Sequence, residues 1–133
     1  MIVDTSALVA IAYDEPGNQP LRLAIAAGGS VPAPALVEFR RVITRRGSRP
    51  APAEEEVLRQ LLTRLTVEAF TAEDAGIASA ANLEHGIGNG RGGRLNLVDL
   101  MVYATARRLR LPILCTGSDF ASTDIVIHPA SRS

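Results

Sequence analysis

The chain has 133 residues, of which 14 are basic and 14 acidic, and every basic residue is an arginine because the sequence contains no lysine. The resulting net charge of zero argues against a general electrostatic coating of nucleic acid, so any contact with RNA must come from local arginine clusters. The single cysteine, Cys115, excludes an internal disulfide, and we expect it to be a buried thiol in a reducing compartment.

The length of the chain is typical of one domain, so we predict a single compact unit over residues 1–133. The first residues, Met1 to Asp4, form neither a basic leader nor a long apolar stretch. We therefore expect a cytoplasmic protein that has no signal peptide and does not contact a membrane.

Apolar periodicity and capping residues predict six helices in chain order. These helices cover residues 7–13, 21–27, 34–46, 54–65, 72–84 and 97–109. We expect Gly47 to end the third helix and residues 50–52 to form a linker before the acidic start of the fourth. The apolar face of the third helix is expected to consist of Leu36, Val37, Val42 and Ile43.

Short apolar runs between these helices predict strands. The strands cover residues 1–4, 30–33, 66–70, 112–115 and 125–127. Thr71 and Asp74 resemble a capping pair for the fifth helix, and Asn96 is a suitable cap for the sixth. Because strands alternate with helices, we predict an α/β fold in which a mainly parallel sheet is covered by helices on both faces. The glycines of residues 86–93 predict a mobile loop before the last helix.

Acidic residues lie at the points where ligands gather in parallel sheets, beyond the carboxyl ends of the strands. Asp4 follows the first strand, and Asp119 follows the strand of residues 112–115 after a tight turn. Asp99 falls in the first turn of its helix, and Glu38 lies about one turn into another. We expect these four side chains to share one site.

Four carboxylates in one pocket repel each other, so either some of them stay protonated or a divalent cation neutralises them. Carboxylate oxygens in a small site suit Mg²⁺ or Mn²⁺. Such an ion activates water as a nucleophile and stabilises the charge that develops on a phosphodiester, and no histidine or cysteine nucleophile is then required. The pattern therefore predicts metal-dependent hydrolysis.

The order and spacing of these motifs resemble the VapC toxins, which are PIN-domain ribonucleases of bacterial toxin–antitoxin pairs. The resemblance covers nearly the whole chain and is carried by residues 2–8 (IVDTSAL), Glu38, residues 95–99 (LNLVD), residues 117–120 (GSDF) and residues 123–125 (TDI). It implies a PIN-like three-layer α/β/α sandwich and Mg²⁺- or Mn²⁺-dependent endonucleolytic cleavage of RNA. It further implies inhibition by a cognate VapB-type antitoxin, and frequent dimerisation.

The same resemblance implies roles for individual residues. Asp4, Glu38, Asp99 and Asp119 match the acids that bind metal or act in catalysis in the family, and Ser6 is implied as a polar support beside them. Asp124 is a candidate for an outer contact. Two positions depart from the family pattern: Val98 replaces a common glycine, and Ser118 replaces a common acid or asparagine. With these two departures, the fourth metal ligand implied by the family pattern is either weakened or supplied by Asp119 alone.

Two groups of arginines are candidates for contacts with RNA phosphates. Arg91 and Arg94 lie in the glycine-rich loop just before Asp99, and we favour this pair. A second group, on or after the third helix, suits either RNA or an antitoxin and consists of Arg40, Arg41, Arg45, Arg46 and Arg49. Both groups are equally compatible with a role in surface solubility.

Each acid also has a structural interpretation. Asp4 can cap the first helix, Asp99 can complement a helix dipole, Glu38 can be an ordinary solvated residue, and Asp119 and Asp124 can stabilise turns. Two other functions also accommodate an acidic pocket. A receiver-like signalling module requires a lysine, which this chain lacks, and a non-catalytic partner-binding module would use the pocket to accept an arginine from another protein.

Overall fold

The computed structural model describes residues 1–46 and 52–133, which form four strands and six helices. The strands are β1 (Ile2–Val3), β2 (Gly29–Pro32), β3 (Leu65–Glu68) and β4 (Ile113–Leu114). The helices are α1 (Thr5–Ala12), α2 (Gln19–Ala26), α3 (Ala33–Arg46), α4 (Pro52–Leu62), α5 (Ala72–His85) and α6 (Leu97–Leu109). The predicted helix end at Gly47, most of the linker of residues 50–52, and Arg49 lie outside the described residues.

The four strands form one parallel sheet in the order β3-β2-β1-β4. Ile2 pairs with Ser30 of β2 on one side and with Ile113 of β4 on the other, so β1 is central. Helices connect successive strands and pack around the sheet as outer layers, which confirms the predicted three-layer α/β fold with a parallel sheet. After β1 the chain forms β2 and β3 on one side of β1, and it later forms β4 on the other side. Beyond the carboxyl end of β1 there is therefore a crevice of the kind in which ligands bind in open sheets.

The core lies on and beside β1 and β4, where Ile2, Val3, Ile113 and Leu114 are inaccessible to solvent. Helix α1 is buried around almost its whole circumference, which explains why its sequence is apolar with little alternation. Such burial fixes the backbone immediately after β1, and Asp4 lies at that point. None of the helices in the described part of the chain is long and apolar enough to cross a membrane.

Helix α3 buries the predicted face with one exception: Ile43 is buried and Leu36 and Val42 pack against the core, but Val37 does not. Val37 is 70% exposed, whereas Ala35, Phe39 and Ile43 are buried at intervals of four residues. This stripe fills the core with the large Phe39 ring, and it leaves Val37 on the opposite side of the helix. The prediction of Val37 as a core residue was therefore wrong, because the sequence pattern allowed two adjacent stripes and the aromatic one packs inward.

The predicted strand at residues 125–127 is not formed as a strand. Ile127 makes a single bridge to Ile113. In this bridge Ile113 N–H donates to the Val126 carbonyl (2.9 Å), and His128 N–H donates to the Ile113 carbonyl (2.8 Å). Val126 itself is exposed, so the run has too little buried surface to extend the sheet. Beyond it, Arg132 N–H donates to the Cys115 carbonyl, and the last residues therefore return to the end of β4.

Candidate metal centre

A cavity of about 320 Å³ opens beyond the carboxyl end of β1, at the crevice described above. It brings together residues from distant parts of the chain, because β1, β4 and the starts of α3 and α6 all meet at this edge. The four predicted acids all line it: Asp4, Glu38, Asp99 and Asp119. The fold therefore brings the four carboxylates to one cavity, as the sequence pattern predicted.

Asp4 is held at the start of α1, where it serves as the N-cap. Its Oδ2 accepts hydrogen bonds from Ser6 N–H (2.9 Å) and from the Ser6 hydroxyl. Its Oδ1 is buried and has no hydrogen-bond partner among the described residues, although Asp4 is only 4% exposed. Burial raises the pKa of Asp4, and the negative charge of Glu38 adds to this effect, although the bonds from Ser6 oppose it.

Ser6 connects Asp4 to the end of β4. Its hydroxyl accepts a hydrogen bond from Thr116 N–H (3.0 Å) and donates its own proton to Asp4. Because the Thr116 bond occupies the acceptor side of the hydroxyl, the Ser6 proton is directed at Oδ2, and Oδ1 receives no bond from Ser6. Ser6 thus lies where the family resemblance implied a polar support.

Asp99 enters the cavity from the first turn of α6. Its Oδ2 accepts a bond from Asn96 N–H (2.8 Å), while its own N–H donates to Asn96 Oδ1 (2.9 Å), so the two residues form a reciprocal capping box. Asp99 is 8% exposed. Its burial, with the nearby charges of Asp4, Glu38 and Asp119, raises the pKa of Asp99 to about 7, although the Asn96 bond opposes the shift.

Glu38 and Asp119 complete the group from more open positions. Glu38 is half-buried on α3, and Asp119 begins the short 3₁₀ helix Asp119–Ser122. Of the two departures from the family pattern, Val98 packs against the core and lines a neighbouring groove, and Ser118 precedes the 3₁₀ helix without a side-chain capping bond. Neither Val98 nor Ser118 lines the acidic cavity.

The donor set fits a hard divalent cation. Among the described residues, no three acidic, histidine or cysteine side chains already stand close enough to hold an ion, so the carboxylates would have to draw together around it. However, the orphaned Oδ1 of Asp4 is an anionic oxygen that is buried without a donor, and such an atom is costly unless a cation or a proton joins it. Carboxylate oxygens suit Mg²⁺ and Mn²⁺ better than softer metals.

The two arginines predicted for RNA contacts occupy different parts of the glycine-rich loop. Arg91 is exposed on the loop, where its N–H donates to the Asn89 side chain (2.8 Å). Arg94 lies at the base of the loop, and its Nε is 3.4 Å from Asp119 Oδ1. Only Arg94 therefore reaches an acid of the cavity.

Asp124 is not brought to the acidic cavity. Its carboxylate accepts bonds from the Tyr103 hydroxyl (2.6 Å) and from Arg107, and it lines a separate cavity with Arg107 and Arg110. The Tyr103 bond, opposed by some burial and aided by Arg107, lowers the pKa of Asp124. These two partners explain its position, so the structure does not favour an outer contact to the four acids.

Two further charged residues line the cavity: Glu15, which sequence reasoning missed, and Arg46, which it named only among the arginines of the third helix and did not connect with the acids. Glu15 lies in the turn after α1, where its carboxylate accepts a bond from Arg132 Nη2 (3.0 Å) and the Pro16 carbonyl accepts another from the same guanidinium. Arg46 ends α3, and its guanidinium lies 4.6 Å from the centre of the Tyr13 ring. Turn residues and a helix-end arginine give no local signal for a site, because only the fold brings them to it.

Comparisons with known proteins bear on the family and the fold of the chain. The profile of the PIN domain family matches residues 1–126. Ribonuclease VapC42 of Mycobacterium tuberculosis is 39% identical over 133 residues, covering 94% of this chain and 96% of the relative. The crystal structure of Mycobacterium tuberculosis VapC20, described as a sarcin–ricin loop cleaving toxin, superposes with a TM-score of 0.73 at 21% identity and covers 94% of this chain and 95% of that one. VapBC2 from Rickettsia felis, bound to a promoter DNA fragment, gives a TM-score of 0.72 at 16% identity, with 95% and 94% covered.

Proposed function

Because this chain belongs to the VapC group of the PIN-domain family, we propose that it is an endoribonuclease, the toxin of a VapBC-type toxin–antitoxin pair, that cleaves RNA with Mg²⁺ or Mn²⁺. The observation that carries the proposal is the buried and unpartnered Oδ1 of Asp4 in a cavity that four further acids line. The family match supports RNA cleavage in general, and the carboxylate set supports the dependence on a divalent ion. Nothing in the match favours a receiver-like module.

We assign the binding of the ion to Asp4, Glu38, Asp99 and Asp119. Asp4 and Asp99 would present oxygens from fixed backbone positions, since each carboxylate is already oriented by a helix cap. Glu38 has a longer side chain and Asp119 is more exposed, so these two can adjust to the ion's geometry. When bound, the ion would supply positive charge to the phosphodiester and lower the pKa of a water molecule that attacks it.

The remaining polar side chains would orient the acids and the substrate. Ser6 fixes the Asp4 carboxylate, and Asn96 fixes that of Asp99 through its N–H. Arg94 and Arg91 would bind RNA phosphates on either side of the reacting group, with Arg94 nearer to the acids. The contact of Arg94 with Asp119, in a chain of zero net charge, supports local rather than general attraction to RNA.

The proposed partners are an RNA substrate, a VapB-type antitoxin and a second copy of the chain. Solved neighbours include a toxin–antitoxin complex, which supports an antitoxin. Large apolar side chains exposed on several helices support association with other chains: Leu23, Val37, Leu83 and Leu97. We further propose that the protein acts in the cytoplasm, as a single domain over residues 1–133. Light scattering with and without a co-expressed antitoxin would measure both assemblies, and a strictly monomeric chain would contradict the homodimer.

Cleavage of RNA by the purified chain tests the catalytic proposal. We expect cutting with Mg²⁺ or Mn²⁺ that EDTA abolishes, and little cutting of a DNA of matched sequence. Asp4→Asn and Asp99→Asn should each lower the rate by more than about 100-fold, which exceeds the range for loss of an outer-shell partner. The matched control Asp124→Asn makes the same chemical change outside the cavity and should cut at nearly the wild-type rate.

Two outcomes would contradict the proposal. Asp4→Asn cutting RNA as fast as the wild-type chain would remove Asp4 from the chemistry. Absence of both cleavage and Mn²⁺ binding by calorimetry at millimolar concentration would favour a non-catalytic pocket that accepts an arginine from a partner protein.

A further inference from the structure

The backbone on both sides of Arg94 is fixed, although Arg94 belongs to a glycine-rich loop. Leu95 N–H donates to the His85 carbonyl (2.9 Å), and the Leu95 carbonyl accepts from Ile87 N–H (2.9 Å), so Leu95 is paired with the other base of the loop. On the preceding side, a Cβ added to Gly93 would lie 2.2 Å from the Gly86 carbonyl oxygen. This close approach, which only glycine permits, holds the chain at residue 93. The Arg94 side chain therefore starts from a defined place.

From that place the Arg94 guanidinium reaches Asp119, with Nε 3.4 Å from Oδ1. Both side chains are 54% exposed, so the pair is solvated and easily exchanged. Asp4, Glu38 and Asp99 form no ion pair within residues 1–46 and 52–133. Of the four acids, Asp119 is thus the one that already has a cationic partner from the chain itself.

We propose that Arg94 is an exchangeable counter-ion for Asp119, which a divalent cation displaces and which then binds an RNA phosphate. This inference rests on the proposed metal-dependent cleavage of RNA. Asp119 Oδ1 cannot bind the Arg94 guanidinium and a divalent ion closely at the same time. In addition, a guanidinium beside the site repels a divalent ion. Once released, the guanidinium is free for the bidentate contacts that phosphates favour.

The exchange links the two binding events. An ion that displaces Arg94 makes it available for RNA, and RNA that draws Arg94 away leaves Asp119 available for the ion. By thermodynamic linkage each ligand then raises the affinity for the other by the same factor. The residue therefore opposes metal binding in the free chain but supports substrate binding in the loaded one.

Mn²⁺ titration by calorimetry without RNA tests the first half of the inference. Arg94→Gln should bind Mn²⁺ about 2- to 5-fold more tightly than the wild-type chain, the range that an exposed ion pair can account for. Arg91→Gln is the matched control, because it makes the same change in the same loop at a residue that contacts no cavity acid, and it should leave the affinity unchanged. Arg94→Lys keeps the positive charge and should stay near the wild-type value.

RNA cleavage at saturating Mn²⁺ tests the second half. Arg94→Gln should raise KM for RNA several-fold while its Mn²⁺ affinity rises, and loss of structure could not produce these opposite changes. In an Asp119→Asn background, Arg94→Gln should raise Mn²⁺ affinity less than it does in the wild-type background, because the ion pair is already absent. Equal Mn²⁺ affinities for wild type, Arg94→Gln and Arg91→Gln would overturn the inference and leave the proposed function intact if the wild type binds Mn²⁺ and cuts RNA. A wild-type chain that does neither would overturn both.

Discussion

Ser6 shows how one hydroxyl can set the chemistry of a neighbouring carboxylate. It accepts from Thr116 N–H and donates to Asp4 Oδ2, so the end of β4 fixes the orientation of an acid that follows β1. The second oxygen of Asp4 then has no protein donor among the described residues, and it is the oxygen that the proposed cation would bind. The asymmetry between the two oxygens of Asp4 therefore depends on a side chain two residues away.

We expect Ser6→Ala to lower RNA cleavage by roughly 10- to 100-fold, the range for residues that orient metal ligands. The thermal unfolding temperature should fall by a few degrees, because Thr116 N–H loses its acceptor, although Asp4 retains the bond from the residue 6 N–H. Initial cleavage rates and Mn²⁺ affinity would measure the effect.

Ser79→Ala provides the matched control for Ser6→Ala. Its hydroxyl is exposed and donates only to the Ala75 carbonyl on α5, so this variant should cut RNA at the wild-type rate. Equal cleavage rates for Ser6→Ala and the wild-type chain would show that Ser6 does not position Asp4 for the reaction.

The sequence allowed prediction of the acids but not of the charges that surround them. Asp4 and Asp99 follow a strand and a helix cap, and both features are local patterns that a sequence shows directly. Glu15, which Arg132 binds from the far end of the chain, has no such pattern. Asp124 had the right residue type in a turn near Asp119, but Tyr103 and Arg107 draw it to another face. Long-range partners of this kind are decided by tertiary packing.

At the scale of elements, helices α5 and α6 pack together and are joined by a buried charge. Asp74, which is inaccessible to solvent, accepts bonds from Arg108 Nε (2.6 Å) and Nη2 (3.2 Å), from Thr71 N–H (3.0 Å) and from the Thr105 hydroxyl (3.2 Å). Burial by itself raises the pKa of Asp74, but the bonds from Arg108 and Thr71 together hold it below its ordinary value. One aspartate thus caps α5 and binds α6.

Asp74→Asn should lower the unfolding temperature by several degrees at neutral pH, because it removes the charge that Arg108 contacts at the helix interface. The folded pKa of Asp74 lies below the unfolded value of 3.8. Its stabilising contribution is therefore complete above that value and is lost as the pH falls through the folded pKa. Thermal melts of both proteins from about pH 7 to about pH 3 should show the difference narrowing toward the acid end.

Glu56→Gln is the control for this pH series. It alters an exposed pair with Arg59 on α4 and should change the unfolding temperature only slightly at any pH. A difference between Asp74→Asn and the wild-type chain that stays constant down to the acid end would contradict the assignment of the effect to the Asp74 charge.

The helices were easier to predict than the strands. The capping boxes of Thr71 with Asp74 and of Asn96 with Asp99 set the starts of α5 and α6 correctly, since a cap is a short-range signal. Strands β1 and β4 contain two residues each, which is too short for an alternating pattern, so their limits depend on pairing in the sheet. For the same reason residues 125–127 look like a strand in sequence but make one bridge.

At the scale of the whole molecule, the last residues of the sequence meet the turn after α1 beside the cavity. Arg132 binds the Glu15 carboxylate and the Pro16 carbonyl, and its own N–H donates to Cys115 at the end of β4. The turn after α1 and the segment after β4 are the two parts of the chain that this arginine joins. Both segments border the cavity, so the shape of the cavity depends on Arg132, which lies more than a hundred positions after Glu15.

Arg132→Ala should lower the free energy of unfolding by about 1–2 kcal/mol, the range for lost hydrogen bonds to a charged group at a partly buried site. Chemical denaturation would measure this change. Arg64→Ala, at an exposed arginine with no ion pair in the described part of the chain, should lie within about 0.5 kcal/mol of the wild type. If both variants have the same midpoint, the contact of Arg132 with the turn contributes nothing to stability.

Asp4 and Asp99 each start a helix and also line the cavity, and these two roles determine which inactive variants of the protein will still fold. Each carboxylate has one oxygen engaged in starting a helix, and both residues line the cavity. Alanine would remove both tasks at once and disturb the helix start. Asparagine keeps an oxygen for the helix start but removes the negative charge, so the variant should be well folded and inactive. The asparagine variants are therefore the form in which this protein could be purified and mixed with RNA that stays uncut.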